Sequence, residues 1–223
     1  MDLLKRRWMM QSSEISGGRL SDYVQNGLVL HMDGKSGKNG SASWKSVVGN
    51  ITFTNDGATF NDDYIYFDGV DDYLSNTSYT PPVSGTGTIE VVIDNETFGE
   101  TLSLVFMAKN RAGIGFGITA AKLILYSCGS TVRPRAVATF AKASFSISNA
   151  GKYQNGQTLS TNGSDYWAER DQYTNFIGKR KTGSFFKGKI YSIRIYNRQL
   201  TQAEVLQNLA VDNIRFNLGL TLT

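Results

Sequence analysis

A single cysteine, Cys128, and a single histidine, His31, stand in a chain of 223 residues. One cysteine excludes an internal disulfide framework and any cysteine-rich zinc site. One histidine, with no nucleophile motif near it, removes the Ser/His/Asp and Cys/His chemistries. It falls on a strand face opposite the most apolar residues, which points to a structural or surface role. Proline is scarce too, three residues against twenty-three glycines. No apolar run approaches the roughly 20 residues of a membrane-spanning helix. The opening MDLLKRRWMMQSSE is unlike a secretory signal, because Lys5-Arg6-Arg7 splits its apolar residues. A soluble, cytoplasmically made protein is expected.

What the chain does carry is turn-rich β material. Hydrophobic residues at 40% and aromatics at 12% are enough for a real core, and Gly, Ser, Thr, Asn and Asp punctuate short apolar runs. Tyr64-Ile65-Tyr66-Phe67 is strand-forming, Asp68-Gly69 tolerates positive φ, and Tyr73-Leu74 restarts an extended segment. FDGVDDYL therefore reads as a hairpin. Gly27 to Met32 alternates, with Leu28, Leu30 and Met32 on one face and Val29 and His31 on the other. Ile51 to Phe60 reads as a second strand pair, around an Asn55-Asp56-Gly57 turn. More strands are expected at Thr88 to Ile93, Leu102 to Met107, Gly113 to Thr119, Leu123 to Tyr126, Ala136 to Phe140 and Phe145 to Ile147. Asn155-Gly156 is a type I′ hairpin signal. Tyr191, Ile193 and Ile195 alternate with Ser192 and Arg194 as a half-buried strand. Thr201-Gln202-Ala203-Glu204 is a capping box that opens a short helix through about Leu209.

The order of these pieces resembles the laminin-G-like, concanavalin A-like jelly-roll family. The resemblance is carried by the GLVLHMDG strand, Trp44-x-x-x-x-Gly49, FDGVDDYL, the Thr88-Ile89-Glu90 strand, Tyr153-x-Asn155-Gly156 and FKGKIYSIRIYNRQLTQAEVLQN, over residues 27–210. It implies an all-β protein: one antiparallel two-sheet β-sandwich of jelly-roll type, with a short C-terminal helix and an N-terminal arm. The expected division is an arm over residues 1–16 and a domain over 17–223. Trp44 reads as a packing anchor at the sandwich rim. Lectin-like recognition of glycans or proteins is implied, and Ca2+ held by loop carboxylates is an option. Asp62, Asp63, Asp68, Asp71 and Asp72 are the clustered acids; Asp71 and Asp72 are equally explained as turn formers, and the turn reading is favoured.

Related folds include glycoside hydrolases, which set two carboxylates close together on one strand. Glu90, Asp94 and Glu96 share strand parity. Their spacing departs from the hydrolase pattern Glu-x-Asp-x-(x)-Glu, and Asn95-Glu96-Thr97 looks like a turn. A non-catalytic module is therefore expected, with no catalytic residue assigned.

For ligand contact, the segment from Asn162 to Tyr173 concentrates an indole, phenols and charges between turn residues. Asp165, Tyr166, Trp167, Arg170 and Tyr173 are its candidates, because sugars offer apolar C–H faces and a hydroxyl rim. The opposing reading folds Trp167 and Tyr173 back onto the sandwich. Arg133-Pro134-Arg135 is a second exposed candidate. Charge is local: Lys179, Arg180, Lys181, Lys187 and Lys189 place five cations and no acid within residues 179–189, against a net charge of +4 for the whole chain. Nucleic-acid binders show a broader stripe with interleaved aromatics, so that partner is disfavoured.

The opening segment resembles the short basic, Met-rich starts of phage and prophage structural proteins. Lys5, Arg6, Arg7 and Trp8 are then docking candidates, toward other virion proteins or toward copies of this chain in a homotrimer. The expectation is a virion surface protein of fibre or decoration type that attaches to the particle and contacts a host cell-surface glycan. A stand-alone carbohydrate-binding module and a glycoside hydrolase are the alternatives.

Overall fold

The computed structural model describes residues 17–80, 87–96, 103–107, 114–118, 123–128, 131–132, 135–136, 141–148, 151–159, 175–180 and 183–221. In chain order the first strands are β1 (Leu28–Asp33), β2 (Lys38–Asn39), β3 (Ser43–Lys45), β4 (Thr52–Asp56), β5 (Thr59–Phe60), β6 (Ile65–Asp68) and β7 (Tyr73–Asn76). The middle adds β8 (Thr88–Asn95), β9 (Ser103–Met107), β10 (Ile114–Ile118), β11 (Leu123–Cys128), β12 (Thr131–Val132) and β13 (Arg135–Ala136). Next come β14 (Lys142–Ser148), β15 (Lys152–Gln154), β16 (Gln157–Thr158), β17 (Asn175–Ile177), β18 (Lys179–Arg180) and β19 (Gly183–Phe185). The last strand, β20 (Lys187–Tyr196), leads to helix α1 (Gln202–Phe216).

The described strands form two large antiparallel sheets. One has eight strands in the order β16-β15-β14-β8-β20-β6-β5, with β1 running along β20 beyond the end of β6. The other has ten, in the order β12-β11-β10-β9-β17-β7-β4-β3-β2, with β13 on β11. β18 and β19 form a small ladder of their own. Alternate residues of both sheets meet in one core. Leu30, Met32, Phe67, Val91, Phe145 and Ile193 enter it from the first sheet, and Trp44, Phe53, Leu74, Phe116 and Ile177 from the second. Burying each such side chain contributes about 1.5–3 kcal/mol, which makes this alternation the main force holding the sheets face to face. Trp44 is the anchor its position suggested: it is fully buried, and its indole N–H donates to the Asp33 carbonyl at 3.0 Å.

FDGVDDYL is not a hairpin. β6 lies in the eight-stranded sheet beside β5 and β20, whereas β7 lies in the ten-stranded sheet between β4 and β17. The motif is a corner that carries the chain from one sheet to the other. Asp68 Oδ1 accepts the Val70 N–H at 2.7 Å, Asp72 Oδ2 accepts the Asp68 N–H at 2.8 Å, and Gly69 takes φ +82°. Phe67 and Leu74 thereby reach the same core from opposite walls. The Ile51 to Phe60 pair is corrected in the same way: β4 and β5 belong to different sheets. Hairpins and inter-sheet corners use the same turn residues, and only long-range pairing separates them.

Two further expectations change. A bulge between Ile190 and Ser192 puts Tyr191 on the outer face, with Val92, Phe216 and Leu218, while Ile193 and Ile195 point inward. Helix α1 also continues to Phe216, well beyond Leu209. Its capping box is as expected, with the Glu204 N–H donating to Thr201 and the Thr201 N–H donating to Glu204. Asn208 and Asp212, which resemble loop residues in the sequence, sit on the buried helix face with Val205 and Leu209. The Asn155-Gly156 turn joins β15 and β16 at φ +51° and +80°, as its residues demand.

Candidate functional site

Each sheet has an outward face, and the two have different fates. On the eight-stranded sheet, outward residues of neighbouring strands are Glu90 on β8, Arg194 on β20 and His31 on β1, in register with one another. Helix α1 covers them. Arg194 Nε donates to Glu90 Oε2 at 2.9 Å, and its two terminal nitrogens reach Asp212 at 2.8 and 2.5 Å. Asn208 donates to Glu90 at 2.8 Å, and Tyr23 donates to Asp212 at 2.8 Å. At the far end of the helix Arg215 grips Asp33 through both carboxylate oxygens, at 2.7 and 2.8 Å.

Burial raises the Glu90 carboxyl, although Arg194 and Asn208 pull it back. Burial works against the Arg194 charge as well, but Asp212 and Glu90 outweigh it and hold the guanidinium charged. His31 is wholly enclosed here, edge-on to Tyr23 at 4.8 Å, and burial followed by the charges of Arg194 and Arg215 drives its pKa well down.

The three carboxylates weighed for hydrolysis are thus dispersed in role. Glu90 is sealed under the helix, Asp94 pairs with Lys189 at 3.5 Å, and Glu96 lies past the end of β8, where the Tyr66 hydroxyl donates to it at 3.3 Å. This arrangement welds a helix to a sheet.

The ten-stranded sheet presents a different surface. On β4 the outward residues are Thr52, Thr54 and Asp56, all exposed, and on β7 they are Tyr73 and Ser75. Register places Thr54, Ser75 and Phe176 in one row, with Asp56 and Tyr73 paired in the next. The Tyr73 and Phe176 rings meet edge to face at 5.8 Å. Over them lies Lys179, its Nζ 3.7 Å from the Tyr73 centroid, 4.7 Å from Phe176 and 5.9 Å from Phe185. A hydrogen bond to Asp56, then burial, raises the Tyr73 phenol.

The signature corner builds this patch. Tyr73 is its last aromatic. Gly178, at φ +92°, lies so close to Phe67 that a Cβ there would sit 2.5 Å from the ring, and the chain turns at that contact to bring Lys179 over Tyr73. Nothing local in the sequence links Tyr73 to Phe176 and Lys179. Their shared signal, aromatics beside cations near residues 176–186, is visible only after the strands are paired.

Asp165, Tyr166, Trp167, Arg170 and Tyr173 lie outside the described residues, as do Lys5, Arg6, Arg7 and Trp8. Among the acids considered for calcium, Asp68, Asp71 and Asp72 place carboxylate oxygens within 4.8 Å of one another. The backbone bonds of the corner already use oxygens of Asp68 and Asp72, and burial raises Asp72. The corner accounts for these residues as turn formers.

The fold and its two faces define a concanavalin A-like sandwich. A family model of the concanavalin A-like lectin/glucanases superfamily matches residues 84–206, more than half of the chain. The chain belongs to that superfamily. Among solved structures it resembles Trypanosoma rangeli sialidase, with a TM-score of 0.59 and 14% identity over 94% of this chain and 38% of that one. It therefore spans well under half of the sialidase chain. Botulinum neurotoxin type C, whose cell entry is dependent upon interaction with two ganglioside molecules, matches with a TM-score of 0.56 and 10% identity over 84% of this chain and 51% of that one. Domain 4 of an extracellular arabinanase from Geobacillus stearothermophilus, in complex with arabinotriose, matches with a TM-score of 0.51 and 15% identity over 82% of this chain and 98% of that one. Identities this low speak to the fold alone. No curated protein matches the sequence. Among the described residues no helix is long and apolar enough to cross a membrane.

Proposed function

We propose that this chain is a non-catalytic saccharide-binding module that works through the outward face of its ten-stranded sheet. The observation that carries the reading is the contrast between the faces. Helix α1 and the Arg194 network occupy one, while the other leaves Thr52, Thr54 and Asp56 exposed beside Tyr73, Ser75 and Phe176. Hydroxyls and a carboxylate next to aromatic rings suit a ligand with a hydroxyl rim and apolar C–H faces. Display of the module on a phage or prophage particle, as a fibre or decoration protein docked or trimerised through residues 1–16, is the finer part of the proposal. It rests on the sequence resemblance of the opening segment, and the loop with Trp167 is its second candidate contact.

A glycan array on wild type and Tyr73→Ala tests the reading. Binding that the substitution abolishes, in a variant with an unchanged melting temperature, supports it. An array on which wild type binds nothing overturns it. Hydrolysis of arabinan, a β-glucan or a sialoside that disappears in Glu90→Gln would overturn the non-catalytic part.

A further inference from the structure

The aromatic patch is capped. Lys179 lies on the face of Tyr73, so a saccharide arriving there meets an ammonium before it meets a bare ring. Cation–π contact with Tyr73 and Phe176 holds the side chain in place, and Lys179 remains partly exposed. Among the described residues no carboxylate pairs with Lys179, whereas Lys35, Lys189, Arg194, Arg198 and Arg215 each have an acidic partner. Asp56, the cross-strand partner of Tyr73, is exposed beside the patch. Lys179 opens a stretch, residues 179–189, with five cations and no acid, although Lys189 lies on the eight-stranded sheet and pairs with Asp94.

We infer that this patch selects saccharides bearing a carboxylate, with the Lys179 ammonium binding the carboxylate and the hydroxyls of Ser75 and Thr54 facing the sugar. The inference deepens the saccharide-binding proposal and rests on it. A fixed ammonium beside aromatic rings offers a charge-assisted bond that a neutral sugar cannot return.

The test uses the full chain and isothermal titration calorimetry with 3′-sialyllactose, trigalacturonate, lactose and a sulfated disaccharide. At least one carboxylated probe binds about ten-fold tighter than lactose, and Lys179→Gln removes that advantage while Lys189→Gln keeps it. Equal affinity for lactose and the carboxylated probes, or a preference unmoved by Lys179→Gln, overturns the inference and leaves saccharide binding standing. Tighter binding of the sulfated probe with equal losses in both lysine variants marks general basic attraction and also overturns it. No heat with any probe, together with an empty glycan array, defeats both proposals. Circular dichroism of each variant confirms that the fold is intact.

Discussion

Asp212, on helix α1, accepts two hydrogen bonds from the guanidinium of Arg194 on β20, at 2.8 and 2.5 Å, and both side chains are buried. The two residues are eighteen apart in sequence, and with Glu90 they fix the last helix onto the last strand. This bond helps hold helix α1 over the outward face of the eight-stranded sheet.

Removing one partner of such a group leaves uncompensated charge in the interior. Arg194→Met strands both Glu90 and Asp212, and the expected cost is about 3–5 kcal/mol. Urea denaturation followed by tryptophan fluorescence measures it. A loss below about 1 kcal/mol would show that the network is dispensable.

His31 sets the pH dependence. Burial first, then Arg194 and Arg215, keep its pKa in the folded protein well below the ordinary value. The unfolded chain takes up a proton near pH ~6.5 while the native chain does not. This contribution is therefore complete above that pH and is lost as the pH falls below it, by at most about 1.4 kcal/mol per pH unit. Urea midpoints between pH 5 and 8 should fall with acid in wild type and fall less steeply in His31→Gln. Parallel slopes would contradict the assignment.

Gly178 links the fold to the patch. A Cβ there would meet the Phe67 ring at 2.5 Å, and φ is +92°. Gly178→Ala is expected to cost about 1–3 kcal/mol through strain and the displaced ring, and to weaken saccharide binding because Lys179 moves with it. Thermal melting and a binding titration of the same variant check the two effects together. Unchanged values for both would sever the link between corner and patch.

The sequence showed the local pieces and concealed the partnerships. Alternation in Leu28 to Met32 and in Thr88 to Ile93 marked the strands, Asn155-Gly156 marked a hairpin, and Thr201 to Glu204 marked a helix start, because each depends on neighbours within a few residues. FDGVDDYL was legible as a turn and as a family signature, but whether β6 and β7 pair depends on β20 and β17, more than a hundred residues away. The same distance hid the patch, since Tyr73 and Phe176 meet only through pairing of β7 with β17. Arg194 reads as the outer side of a half-buried strand, and Asp212 lies past the expected end of the helix, for a related reason. Two buried charges that satisfy each other leave no mark in a hydropathy pattern.

Saccharide binding on the outward face of the ten-stranded sheet is a statement about particular residues, and amide shifts read it residue by residue. The most direct measurement is a titration of the 15N-labelled full chain with the tightest-binding probe among those used in calorimetry, followed by amide chemical shifts. Shifts are expected to cluster at Thr54, Asp56, Tyr73, Ser75, Phe176 and Lys179, with Glu90, Arg194 and Asp212 unmoved. Shifts that gather around helix α1, or a saturated titration that leaves the Tyr73–Phe176–Lys179 cluster unchanged, would contradict it.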